Sequence, residues 1–256
     1  MSFKHIISRD NSLFKQLKRI ADSSRERRKL GETLLDGAHL VEAYLEAFGE
    51  PKLLIIPEGE STAEVTYLTQ QLADIPTVMF PTLMFQELAP VASPTGILAL
   101  VKTPNIAAPA ELDFVLMLED IQDPGNLGSM LRTAAAAGVD AVYLSEGCTD
   151  AWSPKALRGG QGAQFVLPIV ERANLVEFAH AFEGQVLATT LNGTFIYAMD
   201  MTVPTAIAIG NEGNGLSDAL QQAATYQVTI PIAGVESLNA AAAASICLFE
   251  RVRQKL

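Results

Sequence analysis

Cysteine is nearly absent: Cys148 and Cys247 are the only two in 256 residues, which excludes a disulfide-stapled scaffold and leaves no paired metal-ligand spacing. No apolar run reaches the roughly 18 residues that a membrane-spanning helix needs. The opening residues 1–15 are too polar for a targeting segment. Glycine and proline, at 18 and 13, are ordinary, so neither a collagen-like nor a low-complexity chain is in view. No GxGxxG follows an early strand and no glycine-rich loop ends in Lys-Ser/Thr, which argues against a dinucleotide enzyme or a phosphate-loop NTPase. What is present is 49% hydrophobic residues, enough for one large or two modest cores. The expectation is a soluble, cytoplasmic chain with no membrane and no metal.

Basic residues are also few, 18 against 29 acids, for a net charge of −11. Globally that disfavours nucleic acid, because phosphate neutralisation needs clustered cations. The average conceals an asymmetry. Residues 1–30 hold nine basic residues against three acids, +6, and the rest of the chain carries −17. Leu13, Phe14, Leu17 and Ile20 recur at helical spacing with Lys15, Lys18 and Arg19 between them, and Arg25, Arg27, Arg28 and Lys29 extend the positive run. A basic arm on an acidic body suits phosphate docking; a solvated helix face is the plainer alternative. With no interleaved aromatics the arm offers no base-stacking platform.

Thr33–Leu35 and Leu53–Ile56 read as strands around a helix carrying Leu40, Val41, Tyr44 and Leu45, and the pattern repeats to about Leu100 as a small α/β domain. Residues 104–110, rich in Pro and Ala, read as a linker between a domain at 1–103 and one at 111–256. The second half alternates strands (Phe114–Leu118, Ala141–Leu144, Phe165–Val170, Val186–Thr190, Ala206–Ile209, Val228–Ile232) with helices at Gly128–Ala137, Leu175–Phe182, Ser217–Ala224 and from Leu238 to about Arg253. Unbroken apolar strands separated by helices imply a parallel sheet covered on both faces, with ligands beyond the strands' carboxyl ends.

Three loops follow those strands. Asp123-Pro124-Gly125-Asn126-Leu127-Gly128 leads to Arg132, with Asn126 placed to cap the new helix. Arg132 is the only basic residue between Lys102 and Lys155, in a stretch of small apolar residues, where a lone guanidinium suits an anion or a reacting oxygen. Gly210-Asn211-Glu212-Gly213-Asn214-Gly215 allows close backbone approach to a ligand, though a glycine-rich turn by itself is more often a plain connection. Ile230-Pro231-Ile232 through Ser237-Leu238-Asn239 precedes an Ala-rich helix that either Ser237 or Asn239 caps.

Together the three segments resemble, in order and separation, the motifs of the SpoU/TrmH family of RNA ribose methyltransferases, densely over residues 112–256. Arg27-Arg28-Lys29 through Val41, with Pro94-Thr95-Gly96-Ile97, is similar to the substrate-binding domain of members acting on ribosomal RNA. The resemblance implies an α/β fold with a deep trefoil knot, a homodimer with its site at the interface, and S-adenosylmethionine as methyl donor. It places Ile209, Gly210, Asn211, Gly213, Gly215, Ile230, Ile232, Leu238 and Asn239 at the cofactor. Asn126, Arg132, Glu212, Ser237 and Asn239 fall on the acceptor side, and Lys15, Lys18, Arg19, Arg25, Arg27, Arg28 and Lys29 at RNA. By this likeness the expected activity is methyl transfer to a ribose 2′-hydroxyl of structured RNA, ribosomal before transfer RNA, with Arg132 orienting rather than acting as a resting base. A non-catalytic knotted RNA-binding or assembly protein is the alternative from another class. Two positions depart from the pattern: Gly160 stands where many relatives have serine, and Ala241 follows Asn239-Ala240 where a hydroxyl is usual. His5, His39 and His180 read as core or solvated histidines.

Overall fold

The structure, a computed structural model, describes residues 3–89 and 95–256; Pro94 of the expected Pro94–Ile97 segment lies outside the described residues. In chain order the first elements are β1 (Lys4–His5), α1 (Ser12–Asp22), α2 (Ser24–Leu30), β2 (Glu32–Asp36), α3 (Ala38–Phe48), β3 (Leu53–Pro57), α4 (Ala63–Gln71), β4 (Thr77–Phe80), α5 (Thr82–Leu88) and β5 (Leu98–Lys102). Then come β6 (Phe114–Leu118), α6 (Pro124–Ala136), β7 (Ala141–Leu144), α7 (Pro154–Gly160), β8 (Ile169–Val170), α8 (Leu175–Ala181), β9 (Gln185–Phe195), β10 (Thr205–Ile209), α9 (Asp218–Ala223), β11 (Tyr226–Thr229) and α10 (Ala240–Lys255).

Two compact units result, residues 1–104 with 152–165, and residues 105–151 with 166–256. The first is built on a mixed sheet ordered β1-β4-β3-β5-β2. Helix α1 starts where the Asn11 side chain accepts the Leu13 N–H, and its apolar face, Phe14, Leu17 and Ile20, is buried with Phe80, Phe85 and Leu88. The expected arm is therefore part of this unit's body. Residues 103–109 carry no helix or strand.

Chain order alone assigns 152–165 to the second half; packing assigns it to the first unit. The Thr33 hydroxyl donates to the Trp152 carbonyl at 2.6 Å, Arg158 donates to the buried Asp36 carboxylate at 3.0 Å, and the Phe165 ring meets Tyr44 edge-on at 5.6 Å. These contacts also overturn the strand expected at Phe165–Val170. Phe165 ends a 3-10 turn inside an aromatic cluster, Pro168 has no amide to donate, and only Ile169–Val170 joins a ladder. A Cβ at Gly160 would lie 2.1 Å from Gln164 Oε1, so the missing serine corresponds to space taken by the glutamine.

The second unit is a six-stranded, wholly parallel sheet ordered β11-β9-β10-β6-β7-β8. Every residue of β6 and β10 is buried, as central parallel strands require. Helix α6 begins at Pro124 rather than Gly128. Proline presets the first helical φ, and the Asp123 carboxylate caps by accepting the Asn126 N–H at 2.8 Å; capping thus belongs to Asp123 and not to Asn126. Strand β11 covers Tyr226–Thr229 rather than Val228–Ile232, because Pro231 ends the ladder. The final helix starts at Ala240 and not Leu238, capped by Asn239, whose Oδ1 accepts the Ala241 and Ala242 amides. Ala240 and Ala241 are buried at that start. Helix α10 packs on α6 and β10. Its Arg251 donates to the Asp113 carboxylate at 2.7 Å and lies 4.3 Å over the Phe114 ring. That hydrogen bond holds the Asp113 carboxyl below its ordinary range.

Candidate active site

A cavity of about 540 Å³ opens in the second unit, beyond the carboxyl ends of β10 and β11 and beside residues 189–192 of β9, on the side of a parallel sheet where ligands bind. Its walls include Ile209, Gly210, Gly215, Ile230, Ile232 and Leu238. Asn211, Glu212, Gly213 and Ser237 also line it. Asn239, Asn126 and Arg132 are not among the lining residues.

The loop after β10 gains its shape from glycine. Asn211 and Gly215 exchange backbone hydrogen bonds at 3.1 and 2.9 Å, and the Asn211 Oδ1 accepts the Gly213 and Asn214 amides at 2.8 and 3.1 Å. A Cβ on Gly210 would meet the Gly215 carbonyl carbon at 2.2 Å and the Leu216 nitrogen at 2.4 Å. No side chain fits there without moving backbone.

The three motif loops meet through one polar chain. The Asn126 Nδ2 donates to the Glu212 carboxylate at 2.8 Å, and the Asn239 Nδ2 donates to the Asn126 Oδ1 at 3.2 Å. Both ends of the Asn126 amide are engaged, which determines its orientation. Helix capping by Asp123 and Asn239 leaves these side-chain groups directed at one another.

Arg132 stands apart. It is exposed on α6 and has no hydrogen bond or ion pair among the described residues. At 100° per residue it lies about 120° around the helix from Asn126. Its guanidinium is free to meet an anion supplied from outside the chain.

Residues 189–192 escaped the sequence reading. Gln227 pairs with Ala188 but Val228 with Thr194, so β9 leaves the ladder over residues 189–193 and Thr189, Thr190, Leu191 and Asn192 line the cavity. The visible signal was the change from apolar to Thr-Thr-Leu-Asn-Gly at the strand's carboxyl end. Gln221, Gln227 and Thr229 were missed with them.

In the first unit the seven expected RNA contacts divide by partner. Arg27 is 5% exposed and donates to the Ile20 and Ala21 carbonyls at 2.6 and 2.9 Å, closing the end of α1; it is withdrawn from the docking set. Lys15 pairs with Asp10 at 2.8 Å and Lys18 with Asp22 at 3.1 Å. Arg19, Arg25, Arg28 and Lys29 are exposed and have no ion pair among the described residues.

Other candidate groups are accounted for. Burial pushes the Cys148 thiol up, and its Sγ donates to the Leu118 carbonyl at 3.2 Å, so it is not a poised thiolate. Burial takes Cys247 to about 12. His5, His39 and His180 are exposed, His5 pairing with Glu58. Among the described residues no cluster of three or more His, Cys, Asp or Glu is arranged to hold a metal ion, and no helix is long and apolar enough to cross a membrane.

Residues 113–249 match the SpoU rRNA methylase family. The chain is 34% identical to the 23S rRNA (guanosine(2553)-2′-O)-methyltransferase RlmP of Bacillus subtilis strain 168, over 96% of this chain and 98% of that one. It is 33% identical to an uncharacterized tRNA/rRNA methyltransferase, slr1673, of Synechocystis, over 98% and 94% of the two chains. Among solved structures, the SpoU methyltransferase AviRb from Streptomyces viridochromogenes in complex with AdoMet superposes with a TM-score of 0.83 at 29% identity, covering 96% of this chain and 98% of that one.

Proposed function

This chain belongs to the SpoU rRNA methylase family, and we propose that it transfers a methyl group from S-adenosylmethionine to a ribose 2′-hydroxyl of ribosomal RNA. The observation that carries the reading is the cavity at the strand ends with the Asn239–Asn126–Glu212 chain at its rim. The finer reading is a large-subunit RNA substrate, as in the names of the relatives that modify 23S rRNA, and a cytoplasmic homodimer. Residues 1–103 would dock RNA, 104–110 would link, and 111–256, apart from the 152–165 segment that packs in the first unit, would carry the transfer.

The residues present suit the donor. The cavity falls in the size range of small-molecule sites, Ile209, Ile230, Ile232 and Leu238 supply apolar wall for a base, and the glycine loop brings bare backbone to it. Asn211, Gly213 and Gly215 line the same cavity, whereas Asn239, assigned with them by the resemblance, is not among the lining residues and bears on the site through its hydrogen bond to Asn126. Bound there, the donor supplies a methyl group already activated on a sulfonium.

The chain's own task is alignment and charge. Asn126, fixed between Glu212 and Asn239, and Ser237 at the cavity wall present hydrogen-bonding groups that orient the 2′-oxygen. Arg132 holds substrate phosphate and stabilises the charge that oxygen gains as its proton is lost; a guanidinium is protonated in water and is no resting base. Its exposure away from Asn126 supports a dimer in which it serves the partner's site. Exposed Phe195, Tyr197 and Phe249 offer that dimer apolar surface. The return of α10 from edge strand β11 to α6 is consistent with the knot the family resemblance implies.

The direct test is transfer of labelled methyl to ribosomal RNA and ribosomal particles from cells lacking this gene, then digestion to nucleosides. A 2′-O-methylated nucleoside is the expected product; no incorporation into either substrate, with no cofactor binding, overturns the proposal in favour of a non-catalytic scaffold.

RNA docking has its own expected result. Replacing Arg19, Arg25, Arg28 and Lys29 by glutamine should reduce the slope of log affinity against log salt by about 3, at roughly 0.7–0.9 per phosphate contact. Replacing Lys15 and Lys18, already paired with acids, should leave that slope nearly unchanged. Filter binding across a salt series decides, and an unchanged slope for the fourfold variant removes this face as the contact.

A further inference from the structure

We propose that Glu119 and Asp120, just after β6, are positioning residues that pin both ends of the cofactor loop 210–217; this rests on the cavity reading above. Asp120 is one of few described non-glycine residues with positive φ, at 55°, a conformation that costs an aspartate energy unless its surroundings require it. In it, the Asp120 carbonyl accepts the Asn211 Nδ2 at 2.8 Å. The same Asn211 side chain holds the Gly213 and Asn214 amides, so the shape of the loop's first half is referred back to one carbonyl just after β6. The neighbouring side chain holds the far end. Glu119 accepts the Ser217 N–H at 2.6 Å and the Ser217 hydroxyl at 2.7 Å, and that hydroxyl accepts the Leu220 amide to start α9.

The left-handed turn is itself buttressed from the loop after β7. The Asp120 N–H donates to the Ser145 Oγ at 2.9 Å, and the Ser145 hydroxyl donates to the Asp120 Oδ1 at 2.7 Å. Gln122 Nε2 bridges the Gly147 carbonyl at 2.7 Å to the Asp120 carbonyl at 3.3 Å. A Cβ on Gly147 would sit 2.1 Å from the Asp120 Oδ1, so the carboxylate occupies space only glycine leaves. Asp120 is exposed and Glu119 half-buried; their partners are loop amides and hydroxyls, not core. Extended or right-handed backbone at 120 would turn the carbonyl away from Asn211 and free the loop that lines the cavity.

The test compares Asp120→Val, whose β-branched side chain disfavours the left-handed region, with Asp120→Asn and Asp120→Gly, which tolerate it, and adds Glu119→Ala. The readouts are the dissociation constant for S-adenosylhomocysteine, amide hydrogen exchange of residues 211–217 in cofactor-free protein, the thermal midpoint, and the split between KM and kcat. Asp120→Val and Glu119→Ala should each weaken binding about tenfold, on the scale of one buried hydrogen-bonding partner, raise KM for the methyl donor more than they lower kcat, and speed exchange in the loop. Asp120→Asn and Asp120→Gly should stay within about threefold of wild type. Undiminished binding and unaccelerated exchange in Asp120→Val and Glu119→Ala, or equal losses in Asp120→Gly, would overturn the pinning. Wild-type protein that binds no S-adenosylhomocysteine overturns the cofactor reading instead, while loop exchange still reports on the pin.

Discussion

Arg132→Ala should lower kcat for methyl transfer by about 10²–10³-fold, the usual cost of removing a group that stabilises developing charge, while S-adenosylhomocysteine affinity stays within about twofold. The separation follows from position: Arg132 is exposed and absent from the cavity wall, so the donor does not depend on it. Arg132→Lys retains a charge without the planar fork and should remain at least about tenfold below wild type. Subunit mixing locates the residue. If Arg132 completes the partner's site, equal parts of Arg132→Ala and Asn126→Ala chains form mixed dimers with one intact site, and activity returns to about a quarter of wild type. If each chain is self-sufficient, mixing restores nothing. An Arg132→Ala enzyme within twofold of wild type would remove it from the chemistry.

Gly210→Ala should act at the other end of the reaction, on the donor. Its new Cβ would lie 2.2 Å from the Gly215 carbonyl carbon and 2.4 Å from the Leu216 nitrogen, and both neighbours are backbone. Relief requires the loop to move by about 1 Å, which breaks the paired Asn211–Gly215 hydrogen bonds. Overpacking of this kind costs roughly 1–3 kcal/mol, and displacement of a positioning loop by about 1 Å costs about 10²-fold in kcat/KM. Steady-state methyl transfer and thermal unfolding measure the two effects, and calorimetric titration with S-adenosylhomocysteine shows whether the loss lies in donor binding. Wild-type affinity in Gly210→Ala would mean that this loop does not shape the donor site.

The alternation of unbroken apolar segments with helices was legible in the sequence because central parallel strands are buried on both faces, as β6 and β10 are. The cavity's glycine loop was legible for a related reason, since it follows a strand and glycine is needed where backbone approaches backbone; Ile230, Ile232 and Leu238 were assigned to the cofactor by the family resemblance alone. Boundaries were less so. Asn126 and Asp123 are equally good caps by residue type, and only the structure shows that Asp123 takes the amide and releases Asn126 to Glu212. Phe165 reads as strand by hydrophobicity but is drawn into the Tyr44 and Phe48 rings.

By itself, then, the sequence determined the classes of element, the order of the three motif loops and the concentration of positive charge in residues 1–30, since each depends on near neighbours in the chain. Tertiary structure alone decided what depends on partners remote in sequence. It buried Arg27 against the end of α1 while leaving Arg19, Arg25, Arg28 and Lys29 exposed, placed residues 152–165 in the first unit, and brought 189–192 to the cavity through a break in strand register. It also joined Asn126 to Glu212 and Asn239, 86 and 113 residues away. Side-chain hydrogen bonds and packing contacts are short-ranged in space and indifferent to separation along the chain, so only the folded backbone selects among chemically equivalent partners.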